Sequence, residues 1–434
     1  MDDASRAARL APDLALWAAI VAWAGCWAAF QAQPSGISWH FFADGSRQLF
    51  GADGLHLYAR NPGFQIGPLA FLVARPLTLL PTPWDRAVAE ALMAATGPAV
   101  LAWLAPLTTG PRRRWRILAA AAVLIPPWTA LAVRWAHLDD VLALALAVVA
   151  VRAVATRRPV VAGLALGGAL AAKPWAIGFA PILLNLDGAV LLAESTMLAA
   201  GLAASVVIVT WGSFLDADHA TLTALRPSVW VAESSGLRTL GYSGHLVPSW
   251  GRTAQLVAAP GAALISVLRG RWAGALLVAV AVRLALDPQD IAYYAAGGVL
   301  AALVFDLLAT RSTLPWTAIV TSIVLWQPFI IDVDHRFEVA TGPALWWFRH
   351  PAAVGWIHLT WAVAVVVLVM VWRPGTTRAT EPSSHRAPPR HDHVEDHGEG
   401  MRQVHPHASL NVILPPSEIP HRDLQRDHHR GCRG

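Results

Sequence analysis

Between residues 13 and 372, apolar runs long enough to cross roughly 30 Å of hydrocarbon, which takes about 20 helical residues, recur with short polar breaks between them. The pattern predicts an all-α, polytopic transmembrane helical bundle of about ten crossings. Two runs do not read as simple crossings. Phe64 to Leu80 contains Pro68 and Pro76 and is flanked by Pro62, Pro81 and Pro83, and counting it as a span would place Arg112 to Arg116 on the wrong face. Val160 to Leu184 is split at Lys173, Pro174 and Trp175 into two pieces, each too short to cross. Both predict broken or re-entrant segments buried against protein. From Trp39 to Phe50, apolar residues recur at helical spacing around His40, Asp44 and Arg47. This predicts an amphipathic helix at the interface, within a first outer loop over residues 34–62.

Arginine orients the spans, because short loops rich in Arg stay cytoplasmic. Arg112 to Arg116, Arg157 with Arg158, Arg269 with Arg271, Arg311 and Arg373 are mutually consistent markers of that face. The loop from Pro34, the HLDD stretch at His137, the loop from Leu215 to Trp250, the Asp287 to Tyr294 turn and the Asp332 to His350 loop then face outside. The expected location is the inner (plasma) membrane, multi-pass, with both termini cytoplasmic: residues 1–12 as a cytoplasmic N-terminus and 13–372 as the membrane domain. The run Leu14 to Phe30 follows Arg6 and Arg9 and reads as an uncleaved first span.

Composition agrees: the 434 residues are 55% hydrophobic and 14% charged, where a water-soluble domain carries about 25% charged residues. The net charge of +5 lies mostly between apolar runs, so it reads as topology and no nucleic-acid partner is expected. The two cysteines make no disulfide framework. After Arg373 the chain turns to Pro, Arg, Glu and His, with nine of the 17 histidines between residues 385 and 429. Residues 373–434 read as a disordered cytoplasmic tail. Regular metal-ligand spacing is lacking there, which favours a solvated tail over a metal site.

Ionisable groups at membrane depth are costly and usually face a cavity or one another. Lys173 is the only lysine of the chain; its compact charge suits a phosphate, or an internal ion pair with Asp139 or Asp140. The only carboxylates between Pro34 and Trp84 are Asp44 and Asp53. Asp44 falls on the polar face of the expected helix, and Asp53 lies in a GADG turn suited to a local Asx turn. Arg134, His137, Asp139 and Asp140 sit at the outer end of a span, where either aspartate also suits a helix N-cap. Arg283, Asp287, Asp290, Tyr293 and Tyr294 occupy another outer turn, the tyrosines as interface anchors or as ligand contacts. Asp332, Asp334, His335 and Arg336 occupy the last. Walker, GxGxxG and His-Glu-x-x-His motifs are absent.

The stretches LYARNPGFQIGPLAFLVARPLTLLP, HLDD at a span start, AGLALGGALAAKPWAIGFAPILL and LDPQDIAYY together resemble the GT-C superfamily of polyprenol-phosphate-sugar-dependent membrane glycosyltransferases, closest to its bacterial mannosyltransferase-like branch. The resemblance covers roughly residues 13–372. It implies a GT-C-like fold and transfer of a sugar, mannose or a similar pentose or hexose, from a polyprenyl-phosphate donor to a glycan or glycolipid acceptor with inversion. An outer-loop aspartate would be the base: Asp44, with Asp53 second. Lys173, Arg134 or Arg283 would hold the donor phosphate, and His137, Asp139, Tyr293 and His335 would contact sugar or phosphate. The position matching the usual aspartate is near Ile37 or Ser38 and carries no carboxylate. No metal site or cofactor is implied, and divalent-metal dependence stays open. The alternative reading is a membrane transporter or lipid flippase, which the two broken segments suit, although no internal repeat accompanies them.

Overall fold

Helix ends leave their last carbonyls without intrahelical donors, and here arginines supply them. In the computed structural model, which describes residues 3–32, 35–62, 64–108, 112–190, 192–224, 228–289, 291, 293–326, 346–347 and 349–372, every regular element is helical apart from one isolated bridge between Trp230 and Leu246. The longer helices are α1 (Asp3–Gln31), α2 (Trp39–Leu49), α3 (Pro68–Leu77), α4 (Trp84–Leu104), α5 (Arg113–Thr129), α6 (Leu138–Ala155), α7 (Pro159–Ala172), α8 (Glu194–Ala217), α9 (Gly251–Leu268), α10 (Ala275–Ala285), α11 (Tyr294–Ala309), α12 (Trp316–Thr321) and α13 (Pro351–Val371). Five stretches are long and apolar enough to cross a membrane: Asp13–Gln31, Trp84–Leu107, Arg113–Arg134, Glu194–Ala217 and Pro351–Val371. The His-rich tail and the loop holding Asp332, Asp334, His335 and Arg336, like Asp290, lie outside the described residues.

Arg116 donates to the carbonyls of Asp306, Leu307 and Thr310 at the end of α11. Arg113 reaches Ala105 after α4, Arg157 reaches Leu186, and Arg271 reaches Met370 and Trp372 at the end of α13. The arginines that mark one face in the sequence thus gather at one end of the bundle, where they close the C-termini of neighbouring helices. Sequence marks them as a group; their hydrogen-bonding role comes from packing.

Both broken segments turn back. After the Ala172 end of α7 the chain reverses at Lys173 and continues as a 3₁₀ helix, Pro174–Asp187. Arg157, just before α7, bonds the Leu186 carbonyl at its far end at 2.9 Å, so this pair is a hairpin with Lys173 at its tip. α3 behaves similarly. Its leading Gly67 donates to the Ala172 carbonyl at 2.9 Å, and the chain that follows it places Asp85, at the start of α4, 3.1 Å from Trp39 Nε1. Entry and exit lie at the end of the bundle opposite the arginines.

Close approach makes these turns possible. A Cβ on Gly67 would lie 2.1 Å from the Ala171 carbonyl oxygen, and one on Gly163 would lie 2.4 Å from that of Ala199. Small residues at such crossings let backbones touch in a bundle without a hydrophobic drive between helices. Gly67→Ala is expected to wedge the two broken segments apart and cost about 1–3 kcal/mol, read as a lowered melting temperature in detergent. Gly201→Ala, where a Cβ would meet nothing within 4 Å, should leave it unchanged.

Candidate functional site

The entry of the first broken segment and the tip of the second converge on one cavity of about 260 Å³. From the first come Phe64, Gln65 and Ile66, from the second Lys173, Pro174 and Trp175. Irregular backbone at membrane depth is tolerated where it lines such a cavity. The starts of α6, α9 and α11 meet there too, bringing His137, Arg252 and Tyr293 with Tyr294, while α10 ends there with Arg283. Three helix N-termini at one place add positive potential.

Behind the lining lies a buried charge network. Lys173 Nζ contacts a carboxylate oxygen of Asp139 and lies 3.5 Å from Asp140. The other Asp140 oxygen accepts from Trp175 Nε1 at 3.0 Å. Arg283 lies 3.4 Å from Asp287 and over the rings of Trp175 and Tyr294, at 4.6 and 4.7 Å. Asp139, Asp140 and Asp287 are all buried, so each cation offsets an acid that would otherwise be costly. His137 stacks on Tyr293 with centroids 3.9 Å apart, lies 3.0 Å from Ser38 Oγ through Nε2, and approaches Asp139 and Asp140 at 3.5 Å through Nδ1.

The first loop is locked onto this corner. The N–H groups of Gly36, Ile37 and Ser38 donate to the carbonyls of Val133, Arg134 and Trp135, at the end of the π-helical turn Ala130–Arg134 that follows α5. That contact puts Ser38 against His137. At the far side Tyr58 packs on Trp211, which lines the cavity, and His56 pairs with Asp218 at 3.1 Å just past α8. The Ala220 N–H and His56 hold the Asp218 carboxyl below its ordinary range.

The sequence-predicted residues divide clearly. His137, Lys173, Arg283 and Tyr293 line the cavity, and Asp139 sits behind Lys173. Lys173 therefore has the internal ion pair; its charge is not left for a ligand alone. Asp139 and Asp140 are first-turn residues of α6 and not its N-cap, which is His137, although the Asp140 N–H does bond Asp139 at 2.9 Å. Arg134 is buried and stands outside the lining. Asp44 lies on the exposed polar face of α2, as its spacing predicts, paired with Arg47 at 2.8 Å. Asp53 makes no Asx turn; its carboxylate bridges Arg60 at 2.8 Å on the surface. Neither aspartate lines the cavity, but Phe41, one helical turn before Asp44, does. His335 lies outside the described residues.

Sequence reading missed Arg252, Gln65, Gln255, Gln289 and Trp211. Arg252 had a signal: an arginine at the start of a span, on the face where arginine is not expected. Among the described residues no carboxylate lines the cavity, so its charged lining is cationic, set among Phe41, Phe64, Trp175, Trp211, Tyr293 and Tyr294. His137, Asp139 and Asp140 offer ligand atoms within 4.8 Å of one another, a spacing that fits a cation, yet the Lys173 ammonium already rests on Asp139. Chemically, the arrangement suits an anionic group attached to an apolar body. Comparison with family models, curated proteins and solved structures finds no match for this chain.

Proposed function

We propose that the protein is a polytopic membrane glycosyltransferase of GT-C type that transfers a sugar from a polyprenyl-phosphate donor to a glycan or glycolipid acceptor. The observation that carries this reading is the lining: Lys173, Arg252, Arg283 and His137 facing an aromatic-walled cavity with no carboxylate among its described residues. Cations so placed stabilise charge on a departing lipid phosphate, and the aromatic wall suits an isoprenoid or sugar face. Ten crossings go with it: α1, α4, α5, α6, α8, α9, α10, α11, α12 and α13, with α3 and the α7 hairpin returning to the end they entered. With arginine inside, the cavity faces outward, in the inner membrane.

In this reading Asp44 is the base. It lies one turn from the lining residue Phe41, so their Cβ atoms are about 5–6 Å apart, and its exposed carboxylate is open to an acceptor hydroxyl arriving from the aqueous side. The hydroxyl oxygen bonds the anomeric carbon, the bond from that carbon to the phosphate oxygen breaks, and the proton goes to the Asp44 carboxylate. The alternative, a transporter or lipid flippase, draws on the absence of a carboxylate from the described lining. Proteoliposomes holding the purified protein, polyprenyl-phosphate sugars and acceptor glycan separate the two. Sugar appearing on acceptor is expected. Movement of the lipid-linked sugar between leaflets with no transfer would favour the alternative.

A further inference from the structure

We infer that Arg252 anchors the ligand's anionic group, whereas Lys173 and Arg283 serve mainly as counter-ions to buried acids; this rests on the cavity being the site of a lipid phosphate. Partners divide the cations. Lys173 faces Asp139 and Asp140, and Arg283 faces Asp287. Arg252 differs: its Nη1 donates to Gln255 Oε1 at 3.1 Å and its Nη2 to Gln65 Oε1 at 3.2 Å. Both acceptors are neutral amides, and no carboxylate among the described residues pairs with it. Its Nε is buried without a hydrogen-bond partner, and it lines the cavity.

The two amides hold the guanidinium in place without spending its charge. Gln255 is itself fixed, donating to the Leu286 carbonyl at 2.9 Å, and Gln65 belongs to the irregular stretch ahead of α3. A guanidinium fixed in this way presents a planar donor set suited to phosphate oxygens. At the N-terminus of α9, with those of α6 and α11 nearby, the surrounding potential has the same sign. The ligand chemistry is therefore a phosphate group, carried by a lipid alcohol given the aromatic wall, or free.

The test is calorimetric titration of the full chain in nanodiscs of zwitterionic lipid with farnesyl phosphate, farnesol and inorganic phosphate. The wild type should bind farnesyl phosphate, and Arg252→Gln should weaken it about 10- to 100-fold, the loss expected for a hydrogen bond to a charged group. Arg252→Lys, which keeps the charge but not the planar donor set, should recover part of that loss, and farnesol should not distinguish wild type from Arg252→Gln. Inorganic phosphate binding as tightly, with the same dependence on Arg252, would keep the anchor and make the ligand free phosphate. Arg252→Gln binding farnesyl phosphate as the wild type does, or Arg252→Lys no better than Arg252→Gln, would overturn the anchor. A wild type that binds none of the three probes would overturn the lipid-phosphate reading itself.

Discussion

Replacing Lys173 by Met should strongly destabilise the protein. The ammonium rests on Asp139 and lies 3.5 Å from Asp140, and both carboxylates are buried at the start of α6. Removing one partner of a buried pair leaves a charge without compensation, at a cost of about 3–5 kcal/mol, against a total stability that for most domains is about 5–15 kcal/mol. Among the described residues, the tip of the α7 hairpin would then be held to α6 through the Trp175–Asp140 hydrogen bond. Yield of monodisperse protein and melting temperature in detergent measure the effect. Lys173→Met combined with Asp139→Asn should recover part of the loss, because it removes the orphaned charge along with its partner. A single Lys173→Met variant as stable as the wild type would show that the ion pair contributes nothing to folding and that the Lys173 charge is free for a ligand.

Asp44→Asn should reduce sugar transfer by about 10²- to 10⁴-fold, the contribution of a positioned general base, with folding intact. The fold is insensitive to this change because the side chain is 58% exposed and bonds only its neighbour Arg47, one turn along α2; such surface pairs contribute about 0–1 kcal/mol. Loss of rate without loss of stability therefore isolates a chemical role. Asp53, on the surface with Arg60, is the comparison. Full transfer by Asp44→Asn together with loss in Asp53→Asn would place the base at Asp53.

The sequence made much of the frame readable, because charge and proline act locally. Arginines between apolar runs mark one end of the bundle, and the structure adds that Arg116, Arg113, Arg157 and Arg271 close helix C-termini there. Prolines 62 to 83 and the Lys173-Pro174-Trp175 break signalled two segments whose helices are interrupted, as they are. Their meeting was not readable: the Gly67 bond to Ala172 joins positions far apart in the chain, and only packing decides which breaks face each other.

Of the site, the residues carrying unusual chemistry for their surroundings were legible. A lone lysine, an acidic pair at a span start and paired tyrosines all lie at or behind the cavity. Which cation faces which acid was open in the sequence, since Lys173 and Asp139 are 34 positions apart. Arg252 carried only the signal of an arginine on the unexpected face; its meaning comes from Gln65, 187 positions away. The helical pattern put Asp44 on a polar face, where it is exposed and paired with Arg47, but it cannot say that this face is left out of the cavity lining.

The most direct test of a lipid-phosphate site in this cavity is an electron cryomicroscopy map of the full chain in nanodiscs with farnesyl phosphate. The expected density places the phosphate beside Arg252 and Arg283, between the entry of the first broken segment and the tip of the second, with the chain leaving along the aromatic wall. Phosphate density at the arginine-rich end, with this cavity empty, would contradict it.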